Sequence, residues 1–159
     1  MFKSIKKVIV GVLAASLMLS SVAFAADATP SATTAPETSA VVTVNKKTVS
    51  KVENKATVEL GTKVQTVKAN AIQSKTTTVT FKSTKKVTVK KNAFAKAKKL
   101  KTITVQKNKV TFQKGAFGKL NTKKMTIKVK GLKASSKAYK NYVKALKKAG
   151  FKGKVKAVK

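Results

Sequence analysis

VTVKKNAF, Val87 to Phe94, decides how the rest of this chain reads. Its first three residues alternate apolar, polar and apolar, as a short strand does, and it closes on Asn92-Ala93-Phe94. A near copy, VTFQKGAF, begins further on at Val110, and a fainter one, QTVKANAI, begins earlier at Gln65. Working outward, a second set of apolar-polar-apolar triplets precedes each copy. Val58-Glu59-Leu60, Val79-Thr80-Phe81, Ile103-Thr104-Val105 and Met125-Thr126-Ile127 recur at nearly even steps along the chain. Each of the first three is followed by another apolar position, at Val67, Val89 or Phe112, and then by Ala71-Ile72, Ala93-Phe94 or Ala116-Phe117. A chain rich in Val, Thr and Lys produces single matches by chance; three features that keep their order over three units make a repeat.

A repeat of this length, with a strand in each unit, is that of leucine-rich solenoids. A strand of the form [VI]-x-[FV], a second short extended piece and then x-[NG]-A-F resembles the BspA-type bacterial surface leucine-rich repeats, over roughly residues 56 to 130. The chain departs from that family in lacking a Pro after the strand and in replacing most Leu by Val, Phe and Ile. The resemblance implies a secreted or surface-displayed protein with a role in adhesion. The expected fold is an α/β repeat, a short leucine-rich-repeat solenoid with parallel short strands over 41–132, closed by a C-terminal amphipathic helix and a strand in 133–159.

Side chains alternate across a strand, so Val79 with Phe81 and Ile103 with Val105 are expected to stack inward. Phe94 and Phe117 are expected to fill the interior, with Asn92 and Gly115 before them either capping a helical turn or accepting a left-handed backbone. The outward set is the candidate binding face. Glu59, Thr80, Thr104 and Thr126 form its expected middle row, flanked by Thr57, Thr78, Thr102 and Lys124 on one side and by Lys82, Gln106 and Lys128 on the other. Thr suits strands in any case, so a solvated Thr-rich surface without a ligand is the competing reading.

Beyond the repeats, SSKAYKNYVKALKKAG from Ser135 spaces Ala138, Tyr139, Tyr142, Val143, Leu146 and Ala149 on one helical face, with Ser before and Gly150 after. A solenoid leaves its last apolar edge exposed and needs a cap, which this helix can supply. A basic membrane-surface helix is the alternative; it lacks Trp and a broad Leu face. FKGKVKAV, from Phe151, then returns to a strand.

The N-terminal end reads as an export signal over 1–25. Lys3, Lys6 and Lys7 precede the apolar run Val8 to Leu19, and Ala23-Phe24-Ala25 offers small residues at a cleavage site. The apolar run is too short for a membrane span. Residues 26–40, ADATPSATTAPETSA, form a flexible Pro/Thr/Ser/Ala linker, either a spacer or an idle terminus.

Composition limits the chemistry. The chain has 159 residues, 37 of them Lys and none Arg, against four acids, Asp27, Glu37, Glu53 and Glu59, and it has no His or Cys. An imidazole base, a thiolate nucleophile, the usual zinc ligands and a lipid-anchored Cys are all absent. Ser135, Ser136 and Lys137 invite a Ser/Lys reading, but a helix cap explains the serines better. No cofactor, no metal and no catalysis are expected, and no sorting signal for covalent wall attachment is visible.

Two classes of function follow. One is a secreted or non-covalently surface-associated adhesion module using the concave strand face toward anionic cell-wall polymers, glycans, or host or surface proteins. The other is a polycation that meets nucleic acid or membranes by charge alone. Nucleic acid is a non-specific partner at most, since there is no Arg for base contacts and few aromatics for stacking.

Overall fold

A computed structural model describes residues 41–159, which belong to one compact unit. The expected export signal, 1–25, and linker, 26–40, lie outside the described residues.

Two parallel sheets run along the repeat axis. The larger is ordered β1 (Val41–Val44), β3 (Thr57–Leu60), β5 (Thr78–Phe81), β7 (Thr102–Gln106), β9 (Thr126–Lys130) and β10 (Lys154–Val158). The smaller is ordered β2 (Thr48–Val49), β4 (Thr66–Val67), β6 (Val87–Val89) and β8 (Val110–Phe112). Strands β1 to β8 therefore alternate between the sheets, and neighbours within a sheet come from adjacent repeats. Strands this short hold because each interior one is paired on both sides and buries every second side chain. This is the parallel repeat solenoid that the sequence predicts.

Register makes the core a set of columns. Val42, Val58, Val79, Ile103, Ile127 and Val155 pair in sequence across the larger sheet, and Val58, Val79, Ile103 and Ile127 among them are fully buried. Across the smaller sheet, Val49, Val67, Val89 and Phe112 form a facing column. Phe94 and Phe117 lie inside as expected. Phe94, Phe117 and Phe151 follow one another at centroid separations of 5.6 and 5.3 Å, and Phe112 packs on both Phe94 and Phe117. A stack of this kind favours offset aromatic contacts and a large apolar burial per repeat.

The turn that returns each repeat to the larger sheet needs a left-handed residue. Asn70, Asn92 and Gly115 supply it, with φ of 57°, 60° and 75°, which Asn and Gly tolerate best. These turns bond in series: the Asn70 N–H donates to the Asn92 carbonyl, and Asn92 to Gly115, both at 2.9 Å. The series ends on the cap, where the Gly115 N–H donates to the Ala149 carbonyl at 3.2 Å. Ala149-Gly150-Phe151 thus occupies the place that Asn92-Ala93-Phe94 and Gly115-Ala116-Phe117 hold in the repeats.

The cap closes both sheets by different means. Strand β10 pairs with β9 along its whole length and extends the larger sheet. Helix α1 (Lys137–Lys148) covers the smaller one, which receives no fifth strand among the described residues. The Ser136 hydroxyl caps the helix by accepting from the Tyr139 N–H at 3.2 Å, and Gly150 follows its end at φ 98°. Both tyrosines of the chain reach a terminal strand: the Tyr142 hydroxyl donates to the Val110 carbonyl on β8 at 2.8 Å, and the Tyr139 hydroxyl to the Val155 carbonyl on β10 at 2.9 Å. Tyr142, Leu146 and Ala149 are buried, so the apolar face of the helix is spent on the solenoid rather than left for a bilayer. No helix among the described residues is long and apolar enough to cross a membrane.

One expected strand is displaced. The triplet pattern places a strand at Met125-Thr126-Ile127; instead Thr122–Lys124 form a 3-10 turn, Met125 ends it and the strand runs Thr126–Lys130. Asn121 accounts for the shift, because its side-chain oxygen accepts from the Lys123 N–H at 3.2 Å and starts the turn.

Candidate binding face

The outward residues of the larger sheet form two rows set by the same register. The first runs Val41, Thr57, Thr78, Thr102, Thr126 and Lys154; the second runs Thr43, Glu59, Thr80, Thr104, Lys128 and Lys156. Gln106 stands opposite Lys130 in a third, and Lys82 directly follows β5.

Of the expected set, Thr78, Thr80, Thr102 and Thr104 stand outward in register on β5 and β7, whereas the rows at the last strand differ from the expected ones. Thr126 does not continue the row of Thr80 and Thr104; it pairs with Thr102, and Lys128 takes the middle position opposite Thr104. Lys124 lies in the 3-10 turn and leaves the face. Lys130, rather than Lys128, stands beside Gln106. The cause is a local coincidence: Met125 is buried like the inward Val and Ile residues, so Met125-Thr126-Ile127 imitates a strand triplet two positions too early. Register followed the true inward pair, Ile127 and Val129, both fully buried, since a slip along the ladder would break the match of each inward side chain to its neighbour.

A further row escaped the sequence reading. Thr48, Thr66, Thr88 and Thr111 stand side by side on the outer face of the smaller sheet. The Val-Thr-Val and Val-Thr-Phe triplets of β6 and β8 carried the signal for it. The fourth turn unit, Ala149-Gly150-Phe151, was also missed, because its small residue and its left-handed residue are merged in one Gly.

Electrostatically the surface is one-sided. Every lysine from Lys46 to Lys159 is exposed. Among the described residues one ion pair forms, between Lys82 and Glu59 at 2.7 Å, and with both partners reaching solvent it adds little stability. Burial pushes the Tyr142 phenol well above its ordinary range; that group serves the cap, not the face. An apolar groove of about 540 Å³ lies between α1 and β8, with Val110, Phe112, Tyr142 and Leu146 in its lining. No group of His, Cys, Asp and Glu able to hold a metal occurs among the described residues.

Short parallel strands in two sheets, an inward apolar ladder and a separate cap define a repeat solenoid, a class in which each unit is stable only against its neighbours and an extended face is left for partners. A family model described as the BspA type leucine-rich repeat region matches in six copies across residues 18–147, and the chain belongs to that family. The matched range begins inside the segment read as an export signal and ends within α1. Searches of curated proteins and of solved structures found no match. Membership makes the chain a binding scaffold of the repeat type.

Proposed function

We propose that this protein is a secreted, non-enzymatic binding module, held at the cell surface by association with anionic wall polymers or glycans. The observation that carries the reading is the contrast between an exposed set of lysines and a single ion pair among the described residues. Such a surface repels itself and attracts polyanions over about one Debye length. An export signal over 1–25 and a linker over 26–40 would place the solenoid outside the cell and hold it clear of its point of exit. The family supports a surface role and a scaffold without catalysis, and the absence of His and Cys in the sequence points the same way.

Co-sedimentation with isolated cell walls tests this. The protein is expected to pellet with walls at low salt and to be released near about 1 M, where the Debye length falls to roughly 3 Å. Walls stripped of their anionic polymers should no longer hold it. Retention above molar salt would overturn the electrostatic reading in favour of a specific ligand on the Thr rows. In that case Thr80→Glu with Thr104→Glu would abolish retention.

A further inference from the structure

The lysines avoid most of the strands. In a chain with 37 of them, β1, β3, β5 and β7 contain none, and neither do β2, β4, β6 and β8. The last two strands contain four: Lys128 and Lys130 on β9, Lys154 and Lys156 on β10. All four are exposed and alternate with the inward Ile127, Val129, Val155 and Ala157. Lys128 stands directly opposite Lys156, with Thr104 as its neighbour on the other side.

Adjacent strands lie about 4.8 Å apart and positions i and i+2 about 6.6 Å apart. Four ammonium groups therefore rise from a patch on the order of one strand spacing by two pleats. Like charges placed directly opposite one another destabilise a sheet. Among the described residues no ion pair reaches these four: the one acid within a strand, Glu59, is three strands from β9, roughly 14 Å, and is engaged by Lys82.

Lysines on an edge strand also guard against edge-to-edge pairing, and that accounts for Lys154 and Lys156 on β10. It does not account for Lys128 and Lys130, because β9 is interior, paired with β7 on one side and β10 on the other. Their repulsion is relieved when an anion bridges them.

We infer that the outer face of β9 and β10 is a focused docking site for an extended phosphodiester polymer. Lys128, Lys130, Lys154 and Lys156 contact successive phosphates, and the hydroxyls of Thr104 and Thr126 donate beside them. The inference rests on the anionic-polymer reading above and localises it: the other lysines steer, and these four hold. The i to i+2 spacing suits successive phosphates on an extended backbone, whereas lysines scattered over turns present no such lattice.

Two charge-matched variants of the full chain provide the test. One carries Lys128→Gln, Lys130→Gln, Lys154→Gln and Lys156→Gln; the other carries Lys140→Gln, Lys144→Gln, Lys147→Gln and Lys148→Gln on α1. Circular dichroism and a cooperative melt establish that both fold. Binding of a glycerol-phosphate oligomer is then measured against salt concentration, beside polyglutamate of equal charge. The strand variant is expected to lose about tenfold or more in affinity, and its slope of log affinity on log salt should fall by about 3, near 0.7 per phosphate released; the helix variant should lose about threefold or less. Equal losses in the two variants would overturn the inference and leave the diffuse polycation reading standing. Equal affinity and equal loss with polyglutamate would overturn the phosphate assignment. Failure of the unaltered protein to bind either polymer would overturn the inference together with the reading beneath it.

Discussion

Strands β3, β5 and β7 and the pair β9 and β10 share one inward alternation and differ sharply outward. The first three present Thr57, Thr78, Thr80, Thr102 and Thr104 with Glu59 and Gln106; the last two present four lysines beside Thr126 and Val158. Their inward residues continue the same columns without a break. In a parallel ladder the two faces of a strand answer to separate demands: the inward face must match the neighbouring repeat in volume, and the outward face is free to vary. The comparison teaches where to look for function in such a chain. Conformity with the repeat marks structure, and departure from it on the outer face is what the proposed site rests on.

The largest test asks whether the two regions are one cooperative unit. Phe117 touches Phe94 and Phe112 in the repeats and Phe151 in the cap. Phe117→Ala is expected to destabilise the whole chain by about 4 kcal/mol, within the range for buried Phe truncation, with one denaturant transition. Two separated transitions would break the unity of the Thr-faced and Lys-faced strands.

Next in size is the join between them. A Cβ on Gly153 would fall on the carbonyl oxygens of Met125 and Thr122, just where the Lys154 N–H donates to the Met125 carbonyl at 2.9 Å. Gly153→Ala should cost about 3 kcal/mol, the upper range for overpacking, by displacing β10 from β9. Hydrogen exchange should rise along β9 and β10 while β3 to β7 stay protected; uniform loss of protection would show that the lysine-faced strands have no stability of their own to lose.

A smaller effect concerns the helix that takes the place of a strand. Tyr142→Phe leaves the Val110 carbonyl without its hydroxyl donor and should cost about 1–2 kcal/mol. The sign with pH follows from burial. The folded phenol holds its proton well above the value of about 10 in the unfolded chain, so its contribution is complete below about pH 10 and is lost as pH rises beyond that. The gap in melting temperature between the wild type and Tyr142→Phe should narrow above about pH 10. A constant gap would mean that the hydroxyl is not confined as the hydrogen bond to β8 requires.

The smallest expected effect sharpens the contrast directly. Lys128→Gln with Lys156→Gln removes like charges directly opposite one another and should stabilise the chain by a few tenths of a kcal/mol at low salt. The same pair of changes on α1, Lys140→Gln with Lys147→Gln, should do less. Added salt should raise the melting temperature of the wild type and shrink both gains. A loss of stability in the strand variant would show that these lysines pack as structural residues.

Much of this architecture was legible in the chain. The recurrence of Val-Thr-Phe and Ile-Thr-Val triplets announced parallel columns, because alternation and period depend on neighbours in sequence alone. Asn92 and Gly115 announced their turns because few other residues accept a positive φ. The spacing of Tyr142, Leu146 and Ala149 announced a helix with one apolar face for the same local reason. The site was less legible, since a face is a list of which residues stand opposite which, and that depends on register.

Sequence by itself thus determined the repeat, the inward columns, the charge and the need for a cap, all consequences of local periodicity and composition. Tertiary structure decided the rest. It set the register of β9, through the burial of Val129 and the turn begun by Asn121, and so moved Thr126 out of the middle row and put Lys128 into it. It brought β10 beside β9 across the long segment from Gly131 to Gly153, which holds the helix α1. No local rule couples residues so far apart; only the unfilled edge of the last repeat, and the apolar surface it would otherwise expose to water, selects the partner that closes it.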